Sequence, residues 1–422
     1  MRPGPGRSAE DVAAHQRRRL QEAMVELVAE HGYEAVSVTA LTERARVSKR
    51  DFYKRFSGKE ECFLAAYDAI VARSLRGVLA AVEEKEDWRQ GLGHGFLTFA
   101  RQVVGNPEAA RLALVEVFAA GAVAVERMLY TNRLFEALVA KTISPADGPT
   151  RLPPLVVKGI VAGCGRVARA RLLSEHPRRL TLDGGELMDW ALSFCDDDAA
   201  RLRGLEVAGA PPLPPTAAAP PPGDERAMIL AATARLASNE GYATLTVPRV
   251  RAAAGLSKRS FDTHFEGVAD CFLSTLDMLT TRVLAAAEPA YLTADDWASG
   301  VHRMIARLCR HLAGDPTVAK LAFLEVFSPG RDAVQWRSET IVKLAAMLRR
   351  GAPPTERPTM FAAEASVGAM WGVVHHFVAT GREAQLPAAG PVLSYIALAP
   401  ALGGAAATDV IAAETSAPAL HR

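Results

Sequence analysis

The feature that most constrains this chain is that its sequence is written twice. HGYEAVSV around Gly32 returns as EGYATLTV around Gly241, and the offset between those glycines is 209 residues. The same offset carries Ser48-Lys49-Arg50 onto Ser257-Lys258-Arg259 and Cys62-Phe63-Leu64 onto Cys271-Phe272-Leu273. It also carries Asp87-Trp88 onto Asp296-Trp297, Asn106-Pro107 onto Asp315-Pro316, and the EVF at Glu116 onto the EVF at Glu325. Pro145 and Pro149 fall on Pro354 and Pro358, and Gly159 and Gly163 on Gly368 and Gly372. A single ungapped register over that distance is the duplication of a whole folding unit, because a solenoid repeats at a period of tens of residues.

Between the copies runs AGAPPLPPTAAAPPPG, residues 208–223. Such a stretch favours extended polyproline II, at about 3.1 Å per residue, and is expected to span roughly 50 Å. Residues 1–10 and the Ala-rich tail from Gly403 are expected to be disordered. The N-terminal MRPGPGRSAEDVAAHQRRR has basic residues with no apolar stretch behind them, which does not read as a secretory signal. The chain is read as holding no uncharged apolar run of about 18 residues, so no membrane span is expected, and the expected compartment is the cytoplasm. Cys62, Cys164, Cys195, Cys271 and Cys309 are scattered without a C-x-x-C pair, which points to neither a disulfide framework nor a zinc site. No catalytic, metal-binding or cofactor motif is found.

Within one copy the periodicity is helical throughout, and the fold expected is all-α. Leu20, Ala23, Met24, Leu27 and Val28 mark one face of a first helix that Gly32 stops. Ser37 caps a short second helix. Ser48-Lys-Arg-Asp51 has the form of a capping box and opens a third helix through Phe56. Ser57-Gly-Lys-Glu60 repeats the signal before a long fourth helix, whose apolar face is read as Phe63, Leu64, Tyr67, Ile70 and Val71. A short helix, a tight turn and a capped helix make a helix-turn-helix. After Trp88, five further helices are expected, broken at Asn106-Pro107, at Gly121, across 144–154 and at His176-Pro177.

GYEAVSVTALTERARVSKRDFYKRFSGKEECFLAAYDAI resembles the DNA-binding domain of the TetR/AcrR regulators. That family has a Gly-Tyr or Gly-Phe ending the first helix, a Thr or Ser capping the second, and a small-x-Val-Ser turn before the recognition helix. A Tyr-x-x-Phe and a Lys-Glu-opened helix follow. The likeness is specific over about 45 residues, and GYATLTVPRVRAAAGLSKRSFDTHFEGVADCFL in the second copy shares the frame. It implies two units in one chain, each a three-helix DNA-binding domain with a helical ligand and pairing domain. The boundaries expected are 11–60 and 61–200 for copy one, a linker at 201–223, then a degenerate helix-turn-helix at 224–269 and a second helical domain at 270–402. The resemblance further implies a double-stranded DNA operator, a small-molecule effector, and pairing either as a homodimer or as an intramolecular pseudo-dimer of the two copies. The function implied is a transcriptional repressor released by a small apolar effector.

Carried over residue by residue, Ser37, Ser48, Tyr53 and Lys59 stand where the family holds phosphate, and Lys49, Arg50 and Lys54 lie on the groove-facing side. Hydroxyls and helix N-termini suit phosphate oxygens, and Arg50 suits a bidentate guanine contact. Thr246, Ser257, Lys258 and Arg259 are the matching positions of copy two. Helix capping explains the hydroxyls equally well without DNA, and a solvated helix face explains Arg17, Arg18 and Arg19. The local charge separates the copies. Arg44–Lys59 holds seven basic residues and one acid, a charge of +6, whereas Ala253–Val268 balances Lys258 and Arg259 against Asp262 and Glu266. Asp262 replaces Tyr53 and Val268 replaces Lys59, so copy one is expected to carry most of the DNA affinity, with Arg249 and Arg251 compensating in part. Arg46 stands where copy two has the turn glycine, Gly255.

In the later helices Phe99, Phe118, Phe327, Trp371 and His375 are candidate linings of an effector pocket, with plain core packing as the competing reading. The glycine pairs 159/163 and 368/372 are expected where helices approach closely. Glu116 and Glu325 read either as structural ion-pair partners or as groups polarising a pocket. The rival function is a ligand-sensing or protein-interaction module with weak or lost DNA binding.

Overall fold

In the computed structural model, residues 8–143, 152–173, 184–195, 201–202, 212–213, 223–327 and 330–416 are described, and among them the chain is helical with no strand. The 144–151 Pro/Gly stretch, His176-Pro177 and most of the 208–223 linker lie outside the described residues. Two compact units emerge, Met1–Leu138 with Ala168–Gly185, and Val139–Val167 with Glu186–Arg422.

The first unit opens with α1 (Ala9–His31), α2 (Val38–Ala45), α3 (Lys49–Tyr53) and α4 (Lys59–Glu83). Leu20, Met24 and Val28 of α1 are fully buried with Leu41, Phe52, Phe56 and Phe63, which makes one small core under the helix-turn-helix. The N-terminal segment is ordered earlier than expected. Ser8 caps α1, its side chain accepting the Asp11 N–H while the Asp11 carboxylate accepts the Ser8 N–H. α3 stops at Tyr53, three residues short of expectation. Ser57 does not cap α4: Gly58 holds that position, and the Glu61 carboxylate reaches back to the Ser57 N–H at 2.7 Å. The buried face of α4 runs through Cys62, Phe63, Ala65, Ala66 and Tyr67, while Leu64, Ile70 and Val71 are only half-buried. The helix is therefore turned from the face read in its sequence, because α1 takes Cys62 and Ala65 as well as the large side chains. The Gln21 amide donates to the Ala65 carbonyl, and the Cys62 thiol to that of Leu20.

Among the described residues five α-helices follow: α5 (Trp88–Gly105), α6 (Pro107–Leu114), α7 (Ala122–Ile143), α8 (Pro154–Leu173) and α9 (Gly184–Leu192). Asn106 caps α6 through the Ala109 N–H with Pro107 in its first turn, and Gly121 takes φ +93 before α7.

Copy two repeats the series with α10 (Glu225–Glu240), α11 (Val247–Ala254), α12 (Lys258–His264), α13 (Val268–Leu292), α14 (Trp297–Gly314), α15 (Pro316–Phe323), α16 (Arg331–Arg349) and α17 (Met360–Ala379). It then adds α18 (Leu386–Leu402) and α19 (Gly404–Ser416). The tail is thus helix over Gly404–Ser416, where disorder was expected, and residues 417–422 lie outside the described residues. Ala407 and Ile411 are fully buried, and Glu414 accepts two hydrogen bonds from Arg303 at 2.7 and 2.9 Å. The expectation of no long uncharged run also needs correction. Residues 386–408 carry no charge, and Glu383–Leu402 is long and apolar enough to cross a membrane, yet 72% of that window is buried. Such a helix is hydrophobic all round because protein surrounds it.

The second unit brings late helices of both copies together. A Cβ on Gly159 would lie 2.8 Å from Ile396, one on Gly163 would collide with the Trp190 ring, and one on Gly368 would meet Arg166 at 2.5 Å. Gly372 faces Ala162 as closely. The Trp190 Nε1–H donates to Ser366 at 3.0 Å, and Arg166, 2% exposed, donates to the Ser338 carbonyl and faces Glu364 at 3.7 Å. The glycine pairs therefore let helices of the two copies touch, as their spacing predicts.

Candidate nucleic-acid interface

Each helix-turn-helix is set by its caps and its turn. In copy one the Ser37 side chain accepts the Ala40 N–H at 3.1 Å and Ser48 accepts the Asp51 N–H at 3.0 Å. The Ser48 hydroxyl in turn donates to the Asp51 carboxylate at 2.8 Å, which holds that carboxyl below its usual range. Between the helices Arg46 adopts φ 48, ψ 46, and it is the one non-glycine residue with positive φ among those described. Gly255 has φ 71 at the matching place in copy two. The turn needs the left-handed region, and a side chain there costs about 1 kcal/mol. Tyr53 is 58% exposed, while Phe52 and Phe56 behind it are core.

The basic window of copy one shrinks when its partners are traced. Arg44 is bidentate on Glu30 at 2.8 Å and reaches Glu26 at 3.1 Å, two acids that lie outside the sequence window. Lys54 pairs with Asp51 at 3.1 Å. Arg55 donates to the carbonyls of Ala13 and Asp51. The Lys59 ammonium donates to the carbonyls of Tyr33, Glu34 and Val36 at 3.2–3.3 Å and sits 4.5 Å from the Tyr33 ring centre. A phosphate on Lys59 has to compete with those carbonyls. Arg46, Lys49 and Arg50 remain, exposed and with no ion pair or hydrogen bond from their side chains to the described residues. Of the α1 arginines, Arg17 lies 4.7 Å over the Phe56 ring and Arg18 faces Glu22 at 3.8 Å.

Copy two presents less. Thr246 and Ser257 cap α11 and α12, accepting the Arg249 and Ser260 N–H groups. Lys258 and Arg259 are exposed, but so are Asp262 and Glu266. Arg249, expected to compensate for the lost contacts, is held by Glu240 at 2.6 Å.

The repeated glutamates tie each helix-turn-helix to the helices behind it. Glu116, buried in the turn after α6, accepts the Tyr33 N–H at 3.1 Å and faces Arg111 at 3.5 Å, and Glu325 accepts the Tyr242 N–H at 2.9 Å. The Glu116–Arg111 pair matches the ion-pair reading, whereas Glu325 is seen holding a backbone N–H. Of the pocket candidates, the Phe99 and Phe135 rings meet edge to face with their centres 6.4 Å apart, and Phe118 is buried under Arg169. The Trp371 ring lies tilted against Phe323, with centres 4.8 Å apart, and Arg337 sits 5.2 Å from the Trp371 ring centre. The His375 Nδ1–H donates to the Phe323 carbonyl at 2.7 Å, and burial lowers the pKa of that ring. Phe327 closes the turn after α15, and its side chain lies outside the described residues.

Residues 20–66 and 229–275 each match the family model described as bacterial regulatory proteins, tetR family. Similar solved structures include a fatty acid degradation regulator FadR from Bacillus halodurans, 16% identical, with a TM-score of 0.37 over 42% of this chain and 97% of that one. A TetR family transcription regulator from Marinobacter aquaeolei VT8 is 20% identical, with a TM-score of 0.32 over 43% of this chain and 97% of its own. Likeness at that level carries no argument about function. No curated protein matches the chain.

Proposed function

From a chain that carries the tetR-family DNA-binding domain twice, we infer a sequence-specific, cytoplasmic transcriptional regulator in which copy one makes most of the DNA contact. The observation that carries this reading is the surface of copy one's turn and recognition helix. There Arg46, Lys49 and Arg50 point outward with no acid taken up by them, while Ser37 and Ser48 place hydroxyls beside them. Tyr53 and Lys54 complete the surface. Thr246, Ser257, Lys258 and Arg259 form a weaker second grip, diluted by Asp262 and Glu266.

Phosphate contacts supply affinity and register, and base edges supply sequence preference. On this reading Arg50 and Lys49 enter the major groove and the hydroxyls hold the backbone. The regulator acts as a repressor that a small apolar effector releases, with Phe99, Phe118, Phe327, Trp371 and His375 as candidate lining. The five segments bounded at 60, 200, 223, 269 and 402 are the domains in which these roles are placed. The two copies pair within one chain, a reading supported by the contacts of Gly163, Arg166 and Trp190 with copy-two helices.

The test is a titration of full-length protein against duplex DNA at several salt concentrations. Binding should weaken linearly in log–log form, with each lost phosphate contact lowering the slope by about 0.9. Lys49→Ala with Arg50→Ala should remove most of the affinity, and Lys258→Ala with Arg259→Ala much less. Affinity that does not respond to salt, or equal losses from the two pairs, would contradict the reading and favour a sensor module without a working DNA grip.

A further inference from the structure

A surface recess of about 80 Å³ opens between α1 and the turn that precedes α3. His15, Gln16 and Arg19 form its α1 wall, and Arg46, Ser48 and Asp51 form the other. Gln16 is 8% exposed, lines the recess, and has no hydrogen-bond partner for its amide among the described residues. Arg19 and Arg46 also make no ion pair with the described residues, whereas the Asp51 carboxylate is taken by the Ser48 hydroxyl and Lys54. Arg18 donates to Nδ1 of His15, which leaves Nε2–H as the donor of the neutral ring. Two guanidinium groups, an amide and an imidazole N–H thus border one small space, and together they suit a tetrahedral anion.

Copy two provides the comparison. At the same register it has Asp224 for His15, Glu225 for Gln16, Met228 for Arg19 and Gly255 for Arg46. Both arginines are gone, and two carboxylates stand there while one is absent, Ser260 taking the place of Asp51. Glu225 accepts from Ser260 and faces His264 at 3.8 Å. The turn glycine is the unstrained choice, so copy one retains a left-handed arginine against a conformational preference.

We propose that this recess is the seat of a DNA backbone phosphate, held by Arg46, Arg19 and the Gln16 amide beside the recognition helix. The inference rests on the DNA-binding reading above. It makes Arg46 a contact residue that copy two lacks, and it adds a phosphate at the edge of the contacts carried by Ser37 and Ser48.

Arg46→Gly separates function from fold because the two effects have opposite signs. Glycine relieves the backbone, so the melting temperature should hold or rise, while affinity for a mixed-sequence duplex falls roughly threefold to tenfold and the salt slope drops by about 0.9. Arg19→Met should give the same loss, and Gln16→Leu a smaller one. A salt-dependent wild type whose affinity and slope are unchanged in Arg46→Gly and Arg19→Met would overturn the seat and leave the DNA-binding reading standing. So would a loss of affinity in Arg46→Gly accompanied by a lower melting temperature. A wild type with no salt-dependent binding would overturn the DNA-binding reading itself, and the seat with it.

Discussion

At the scale of single residues, engagement matters more than formal charge. The Arg44–Lys59 window counts +6 in the sequence, yet Arg44, Lys54, Arg55 and Lys59 are all held by carboxylates or carbonyls. Lys59 binds the turn after α1, and Lys59→Ala should lower stability by about 1–2 kcal/mol by chemical denaturation, separately from any loss of DNA affinity. Buried thiols give a second prediction. Burial pushes Cys62, Cys164 and Cys309 up to about 12 and Cys271 up to about 11. A thiol whose folded pKa exceeds its unfolded value favours the folded state at neutral pH. That advantage is lost as pH rises from the unfolded value near 9 toward those values. Unfolding midpoints should therefore fall above about pH 9, and a thiol reagent at pH 8 should label the native chain far more slowly than the denatured one.

At the scale of elements, the same carboxylate clamp appears in both copies. Glu116 reaches the N–H that follows Gly32, and Glu325 the N–H that follows Gly241, so the turn after α6 or α15 grips the end of the first helix of each copy. A buried N–H left without its acceptor costs about 1–3 kcal/mol. Glu116→Ala should show that loss, and Glu116→Gln, which keeps an acceptor, should show less; equal losses would assign the cost to the Arg111 pairing. The EVF repeat made the glutamates conspicuous, but not their partners 83 residues earlier. Those partners exist only because α6 packs on α1 and α4.

At the scale of the whole molecule, the duplication places matching surfaces in one chain. If Gly159, Gly163, Gly368 and Gly372 serve pairing within the chain, light scattering should return a mass near 45 kDa. Twice that mass would mean pairing between chains. Gly163→Ala puts a methyl against Trp190 and the Ala365 carbonyl, 2.9 Å away, and should cost about 1–3 kcal/mol as overpacking. A chain that reads DNA with two unlike helices should prefer an asymmetric site over a palindrome.

The sequence by itself determined the duplication, the all-α class, the caps at Ser37 and Ser48, and the matching turn position held by Arg46 in one copy and Gly255 in the other. These follow from register, local hydrogen bonding and backbone sterics, all of which act over a few residues. The tertiary structure alone decided which face of α4 is buried, that Gly404–Ser416 is a helix held by Arg303, and that the uncharged run at 386–408 is largely core. It also decided which cations of copy one remain outward and that Gln16 lines a recess with Arg19 and Arg46. Those outcomes depend on residues far apart in the chain, whose partners are set by packing and appear in no local pattern.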